Sequence, residues 1–333
     1  MRLFTNRNIN TMFPRVMCEL LANGEREESR NGPVIVYPEP VCMTYERPWE
    51  RVLFSAKRRA NPFFHLFESM WMLAGRDDAA FLDRYVHDFG ARYAEKDGTL
   101  HGAYGRRWRS HFFIDQLDWA VQSLQRDPAS RRTVITMYDP AIDSIPHESP
   151  TSPKDIPCNT QMYLRLRRGA LELTVCCRSN DAIWGAFGAN VVHFSVLQEY
   201  LAHRIGCGIG PMHVMSNNFH VYESTLHLFD SKEGVYDPYS LDHVAPHPLF
   251  TSTNDEAFVD MLNLWMADPS NTSENLKFPA WPFTNLLIPM SRVHDAIKAK
   301  MWDDALRECD YIISEDWRGA AQRWIFMRLA VKR

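Results

Sequence analysis

The stretch Ile156-Pro-Cys-Asn-Thr-Gln-Met-Tyr-Leu-Arg-Leu-Arg-Arg-Gly-Ala-Leu-Glu-Leu-Thr-Val-Cys-Cys-Arg-Ser-Asn-Asp181 organises the reading of the chain. Two strand-like runs, Gln161 to Arg167 and Leu171 to Cys177, flank Arg168-Gly169, which predicts a β-hairpin. A hairpin returns the chain to its start. Arg178 therefore comes back beside Cys158, twenty residues earlier. A guanidinium in that place lowers a thiol pKa and binds an anion. An isolated cysteine is most often a buried spectator. The Arg178-Ser179-Asn180-Asp181 cluster that closes the hairpin instead marks Cys158 as a candidate nucleophile.

On the N-terminal side, Thr133 to Tyr138 reads as a strand by its β-branched content. The segment from Asp139 to Pro157 holds five prolines and reads as a long, functional loop. Farther back, Asn61 to Gly75 reads as a helix, with Asn61 as N-cap, Pro62 at the first position and Gly75 at the end. That helix is apolar almost all round, so it should be buried. Glu68 in its middle is conspicuous: a buried carboxyl usually has a raised pKa and can move protons through water. A further helix starts near Asp115. On the C-terminal side, Asn190 to Ile205 reads as a helix with Phe194, Leu197 and Leu201 on one stripe, and Pro211 to Asn217 as a strand. From Asp260 onward the chain reads as mostly helical, with a break at Pro279 to Pro282. Mixed strands and helices of this kind predict an α+β domain, a mixed sheet covered by helices. No repeat or linker divides residues 1–333, so a single domain is expected.

Composition excludes several classes. The chain of 333 residues is 45% hydrophobic, which suits a globular protein with a full core. Its longest apolar runs fall short of the ~20 residues that span a bilayer, and the N-terminus lacks a signal-like apolar stretch. With a net charge of −4 there is no general nucleic-acid footprint. Seven cysteines without a Cys-x-x-Cys pair argue against a disulfide framework or a zinc site, and for a reduced, cytoplasmic setting. No metal is expected.

In order along the chain, these motifs resemble the thymidylate synthase family. That family has a Pro-Cys nucleophile, Arg-Ser-x-Asp twenty residues on, then a Gly, an Asn that opens a helix, and His-x-Tyr. Here they are Pro157-Cys158, Arg178 to Asp181, Gly185, Asn190 and His220-Val-Tyr222. Ser29-Arg30-Asn31-Gly32 resembles the family's N-terminal phosphate-arginine loop, and Ser130-Arg131-Arg132 its paired arginines. Glu68 and Tyr104 match as well. The resemblance runs from about residue 14 to 225; the helical part over 255–333 is unmatched. It implies sheets packed back to back in a homodimer. It also implies two substrates, 5,10-methylene-tetrahydrofolate and a pyrimidine nucleoside monophosphate.

The roles implied are these. Cys158 adds to C6 of the base and so makes C5 nucleophilic. Glu68, Tyr104, Arg178 and Asn159 stand around the chemistry. Arg30, Arg178 and Ser179 hold the 5′-phosphate, with Arg131 and Arg132 reaching in from the second subunit. Asn190 reads the base edge, His220 and Tyr222 hold the sugar hydroxyl, and Asp181 hydrogen-bonds the folate ring. A neutral Asn190 suits uracil, although a flipped amide would meet cytosine. Arg132 and Ser179 match the deoxynucleotide-using members.

Departures from the family pattern bear on the last step. Asn159 replaces the usual His after the nucleophile. Phe89 and Tyr93 stand nearest to where the family keeps shielding tryptophans. Leu329 to Arg333 does not match its closing tail. Hydride from the folate gives a methyl group at C5, whereas water gives a hydroxymethyl group. The losses favour water, and Arg-Ser-Asn-Asp resembles the related phage hydroxymethylases. The expected product is therefore the 5-hydroxymethyl deoxynucleotide, with dUMP favoured over dCMP. The alternatives are thymidylate synthesis proper and an inactive nucleotide- or RNA-binding relative. A cysteine hydrolase is disfavoured, because none of the thirteen histidines sits in a partner motif.

Overall fold

The computed structural model describes residues 1–146, 148–149, 152–250, 255–269 and 280–330. Among these residues eight strands form one mixed sheet: β1 Arg2–Asn6, β2 Glu25–Ser29, β3 Gly32–Val36, β4 Val41–Tyr45, β5 Val134–Thr136, β6 Asn159–Arg167, β7 Ala170–Asp181 and β8 Gly208–Tyr222. The main path runs β1-β4-β8-β7-β6-β5, with β3 pairing the far end of β8 and β2 pairing β3. The pairs β1–β4 and β7–β8 are parallel, and the others are antiparallel.

The hairpin forms as the sequence predicts. β6 and β7 pair antiparallel across Arg168 and Gly169, both at positive φ. β8 extends past the predicted Pro211 to Asn217 at both ends. Its first residues are held by β7 and its last by β3, and these non-local pairings leave no periodic mark in the sequence. Along β8 the residues Gly210, Met212, Val214 and Ser216 are buried, and Pro211, His213 and Met215 between them are half-buried. In β4, Val41, Met43 and Tyr45 are buried while Cys42 and Thr44 are half-buried. One sheet face thus carries the core and the other is only partly covered.

The longer helices are α1 Ile9–Asn23, α2 Pro62–Leu73, α3 Gln116–Arg126, α4 Asn190–Ile205, α5 Asp255–Ala267, α6 Ile288–Lys298, α7 Trp302–Cys309 and α8 Glu315–Ala330. α2 begins as expected: the Asn61 side chain accepts from the Phe64 amide (3.1 Å) and Pro62 takes the first helical position. The chain leaves the helix through Gly75, at φ +72°. α3 is capped by Asp115. The C-terminal helices explain why α2 is apolar almost all round. Phe63 meets His294 of α6 (5.2 Å between ring centroids) and Trp324 of α8 (6.4 Å), and Phe67 meets Trp265 of α5 (5.4 Å).

The long proline-rich loop contains a helical turn, Pro140–Asp143. It is tied down where Asp143 accepts from both terminal nitrogens of Arg107 (2.6 and 3.0 Å). Residues 147, 150 and 151 of that loop, and Pro279 of the expected C-terminal break, lie outside the described residues. The Trp281–Pro282 peptide at that break is cis.

Candidate active site

Cys158 enters β6 directly opposite Arg178 on β7. The Arg178 amide donates to the Cys158 carbonyl (2.8 Å). The Arg178 side chain turns back over the same loop, with Nε donating to the Pro157 carbonyl (2.8 Å) and Nη2 to that of Ile156 (3.0 Å). Nη2 lies 3.9 Å from Cys158 Sγ. The expected cation beside the thiol is in place, but the net shift has the opposite sign. Burial pushes the Cys158 thiol up; Arg178 and Arg30 pull against it, and Asp155 and Asp181 add to it.

The Arg30 turn reaches this place because β3 pairs with the end of β8, Val34 beside Tyr222 and Val36 beside His220. Asn31 Nδ2 approaches the Tyr222 hydroxyl (3.5 Å), and the His220 and Tyr222 rings meet edge to face at 5.3 Å. His220 Nδ1 is 2.8 Å from Asn218 Oδ1. Ser179, next to Arg178, pairs with Asn218 across β7 and β8. Cys158, Arg178, Ser179, Arg30, His220 and Tyr222 therefore gather at one end of the sheet. Arg131 and Arg132 do not join them. They stand exposed just ahead of β5, the edge strand, with no hydrogen bond or ion pair to this group among the described residues.

A chain of amides crosses the floor of the site. The Tyr104 hydroxyl oxygen accepts from the Asn159 backbone amide (3.1 Å) and from Asn159 Nδ2 (2.8 Å). Asn159 Nδ2 also approaches Asn190 Oδ1 (3.4 Å). Asn190 Nδ2 donates to Asn180 Oδ1 (3.1 Å), and Asn180 Nδ2 to Ser216 Oγ (3.0 Å). Burial raises the Tyr104 phenol, most strongly by desolvation. Flipping Asn190 alone would set oxygen against oxygen and N–H against N–H, so the chain fixes its orientation. Gly185 permits the close approach: a Cβ there would lie 2.7 Å from Asn180 Oδ1 and 3.1 Å from Asn190 Nδ2.

Asp181 ends β7 and caps the following turn, accepting from the Trp184 amide through Oδ1 (2.5 Å). Its Oδ2 is buried with no hydrogen-bond partner among the described residues, and burial raises the Asp181 carboxyl. An unpaired buried carboxyl oxygen fits a donor-bearing ring such as a pterin. Ala182–Ala189 runs as wide, π-type turns broken by non-helical backbone at Phe187 and Gly188. Arg58, which the sequence did not single out, clamps this turn by donating from Nε and Nη2 to the Ile183 carbonyl (3.0 and 2.6 Å).

Glu68 is buried on α2, with its Oε2 2.9 Å from His193 Nε2 on α4. Glu68 also bears on Asp155, whose carboxyl burial raises. Asn180, His193 and Asp155 are additions to the expected site. Asn180 belongs to the cluster already noted, His193 lies one helical turn after Asn190, and Asp155 precedes Cys158 by three. Phe89 packs on Phe64 (5.6 Å) and Tyr93 (5.0 Å), with Tyr93 exposed. Leu329, in the segment that does not match the family's closing tail, lies at the end of α8, and the last three residues of that segment are outside the described residues.

A cysteine beside an arginine at the end of a mixed sheet, with a pinned amide and a buried glutamate, sits in a chain whose relatives make it a pyrimidine-nucleotide C5 transferase. The chain belongs to the thymidylate synthase family, whose family model matches residues 11–236. It is similar to the deoxyuridylate hydroxymethyltransferase of Pseudomonas phage M6, 40% identical over 99% of this chain and 95% of that one. The deoxyuridylate hydroxymethyltransferase of Bacillus phage SP01 is 32% identical over 67% of this chain and 59% of its own length. A putative thymidylate synthase of Methanothermobacter marburgensis is 34% identical over 46% of this chain and 63% of its own length. The M6 similarity extends through the C-terminal helices that the family model does not reach. No described helix is long and apolar enough to cross a membrane.

Proposed function

We propose that this chain transfers a one-carbon unit from 5,10-methylene-tetrahydrofolate to C5 of a pyrimidine deoxynucleoside monophosphate and releases the 5-hydroxymethyl nucleotide, with dUMP favoured over dCMP. The observation that carries the reading is Cys158 Sγ set 3.9 Å from Arg178 Nη2 in a site whose base-reading amide is already oriented. The similarity to the phage M6 enzyme over nearly the whole chain supports the hydroxymethyl outcome.

Each residue has a task in this scheme. Arg178, Arg30 and Ser179 bind the 5′-phosphate, and the phosphate draws Arg178 off the Pro157 and Ile156 carbonyls. Cys158 adds to C6, placing negative charge on C5 and O4. Asn190 keeps one N–H and one acceptor lone pair for the base edge, which suits O4 and N3–H of uracil. His220 and Tyr222 hold the sugar. Asp181 Oδ2 meets the folate ring, and the folate supplies the carbon. Tyr104 and Asn159 fix the floor, and Glu68 exchanges protons with the site. The partly covered sheet face is the surface for a second copy. In such a dimer Arg131 and Arg132 complete the phosphate clamp of the partner. Residues 1–333 make one catalytic domain, in which the C-terminal helices brace α2 and hold Glu68 in place.

Product identification tests the proposal. The protein is given methylene-tetrahydrofolate with dUMP or dCMP in turn, and the nucleotide is analysed by mass spectrometry. The expected product is 5-hydroxymethyl-dUMP, formed faster than any cytosine product. Unchanged nucleotide in both arms would overturn the assignment of activity.

A further inference from the structure

His193 has a place in the site that the scheme above does not use. It sits on α4 one turn after Asn190, with its side chain 2% exposed, and Glu68 beside it is 10% exposed. Nε2 and Glu68 Oε2 are 2.9 Å apart, but the approach is off the line of a ring N–H. Among the described residues neither atom has a hydrogen-bond partner, and neither does His193 Nδ1. Of these, Nε2 and Oε2 face one place, and a buried polar atom costs about 1–3 kcal/mol unless something pairs it. A water with two to four polar partners is the usual occupant of such a place.

The pair is close to the reacting centre. The Asp155 carboxyl feels the charge of Glu68, and the Cys158 thiol feels that of Asp155. On α2, His65 lies one turn before Glu68 and feels both His193 and Arg58. Asn190, on the same face of α4 as His193, is tied to Asn159, the residue after the nucleophile.

We propose that His193 is the positioning residue for the hydrating water, which it holds with Glu68 against the exocyclic methylene carbon on C5 of the bound nucleotide. This rests on the hydroxymethyl reading above. The imidazole donates to the water oxygen and Glu68 accepts from the water. The oxygen bonds to the exocyclic carbon, and the water proton passes to Glu68. The methylene π pair moves to C5 and O4 as an enolate. It then re-forms C5=C6 as the S–C6 bond breaks and Cys158 leaves as thiolate. No oxidant or reductant takes part.

The test measures two outputs in one reaction with dUMP tritiated at C5: tritium release, which precedes hydration, and hydroxymethyl product. In His193→Ala the ratio of product to released tritium falls about a hundredfold, the loss of a positioned acid–base contact. Added 2-mercaptoethanol captures the stranded methylene as a thioether. His193→Gln, which keeps a donor and an acceptor, loses about tenfold in the ratio. If the alanine variant does not fold, the glutamine variant decides. A ratio unchanged from wild type in either folded variant overturns the role of His193. A wild-type enzyme that yields only methyl product overturns the hydroxymethyl reading itself, and His193 with it.

Discussion

Burial and charge oppose each other at Cys158. Desolvation raises its thiol, Arg178 lowers it, and Asp155 raises it again. The free enzyme therefore keeps a guarded, largely protonated thiol, and in the proposed scheme the thiolate is drawn out as the nucleotide binds. Taking away the negative charge of Asp155 eases thiolate formation, so Asp155→Asn lowers the thiol pKa; taking away Arg178 raises it. Iodoacetamide alkylation of Cys158, followed across pH, should run faster at neutral pH in Asp155→Asn by about threefold. It should run slower by a similar factor in Arg178→Ala. Profiles that coincide with wild type in both variants would remove these two groups from the control of the thiol. The sequence pointed to Cys158 and Arg178 because a hairpin is a local object. It did not point to Asp155 or His193, because each matters through neighbours on other elements, Glu68 above all.

The elements divide along the same line. α2 and α4 were legible because capping, proline and glycine punctuate them: α2 keeps Asn61 as cap, and α4 runs from Asn190 to Ile205 as read. The hairpin of β6 and β7 was legible from its turn. The N-terminal strands β1 to β4 and the full length of β8 were not, since their partners lie far away in the chain. The turn from Ala182 to Ala189 shows how an element sets chemistry, because it carries Gly185 under the Asn180–Asn190 contact. Gly185→Ala forces those amides apart and frees Asn190 to turn. The preference for dUMP over dCMP, measured in competition, should then fall about tenfold or more, as expected for a mismatched pair of ~1–3 kcal/mol. An unchanged preference would show that the amide chain does not govern base choice.

The whole molecule has one sheet face packed under helices and one partly covered, with Arg131 and Arg132 exposed beside the edge strand and apart from their proposed phosphate. A shared-site dimer reconciles these facts. Mixing Arg132→Ala subunits with Cys158→Ala subunits should then restore up to about a quarter of wild-type activity, since random pairing makes half of the dimers mixed, each with one intact site. Mixed dimers that stay inactive, from folded and dimeric parents, would contradict the sharing of sites. The C-terminal helices, unreadable in the sequence beyond their helicity, brace α2 and so bear on Glu68 from a distance.

The central claim is that water, not hydride, completes the reaction, and the folate product together with the origin of the new oxygen tests it most directly. With dUMP and methylene-tetrahydrofolate in heavy-oxygen water, the account predicts tetrahydrofolate, no rise in dihydrofolate absorbance, and a 5-hydroxymethyl nucleotide carrying one labelled oxygen. Dihydrofolate formed in step with an unlabelled 5-methyl nucleotide would contradict it.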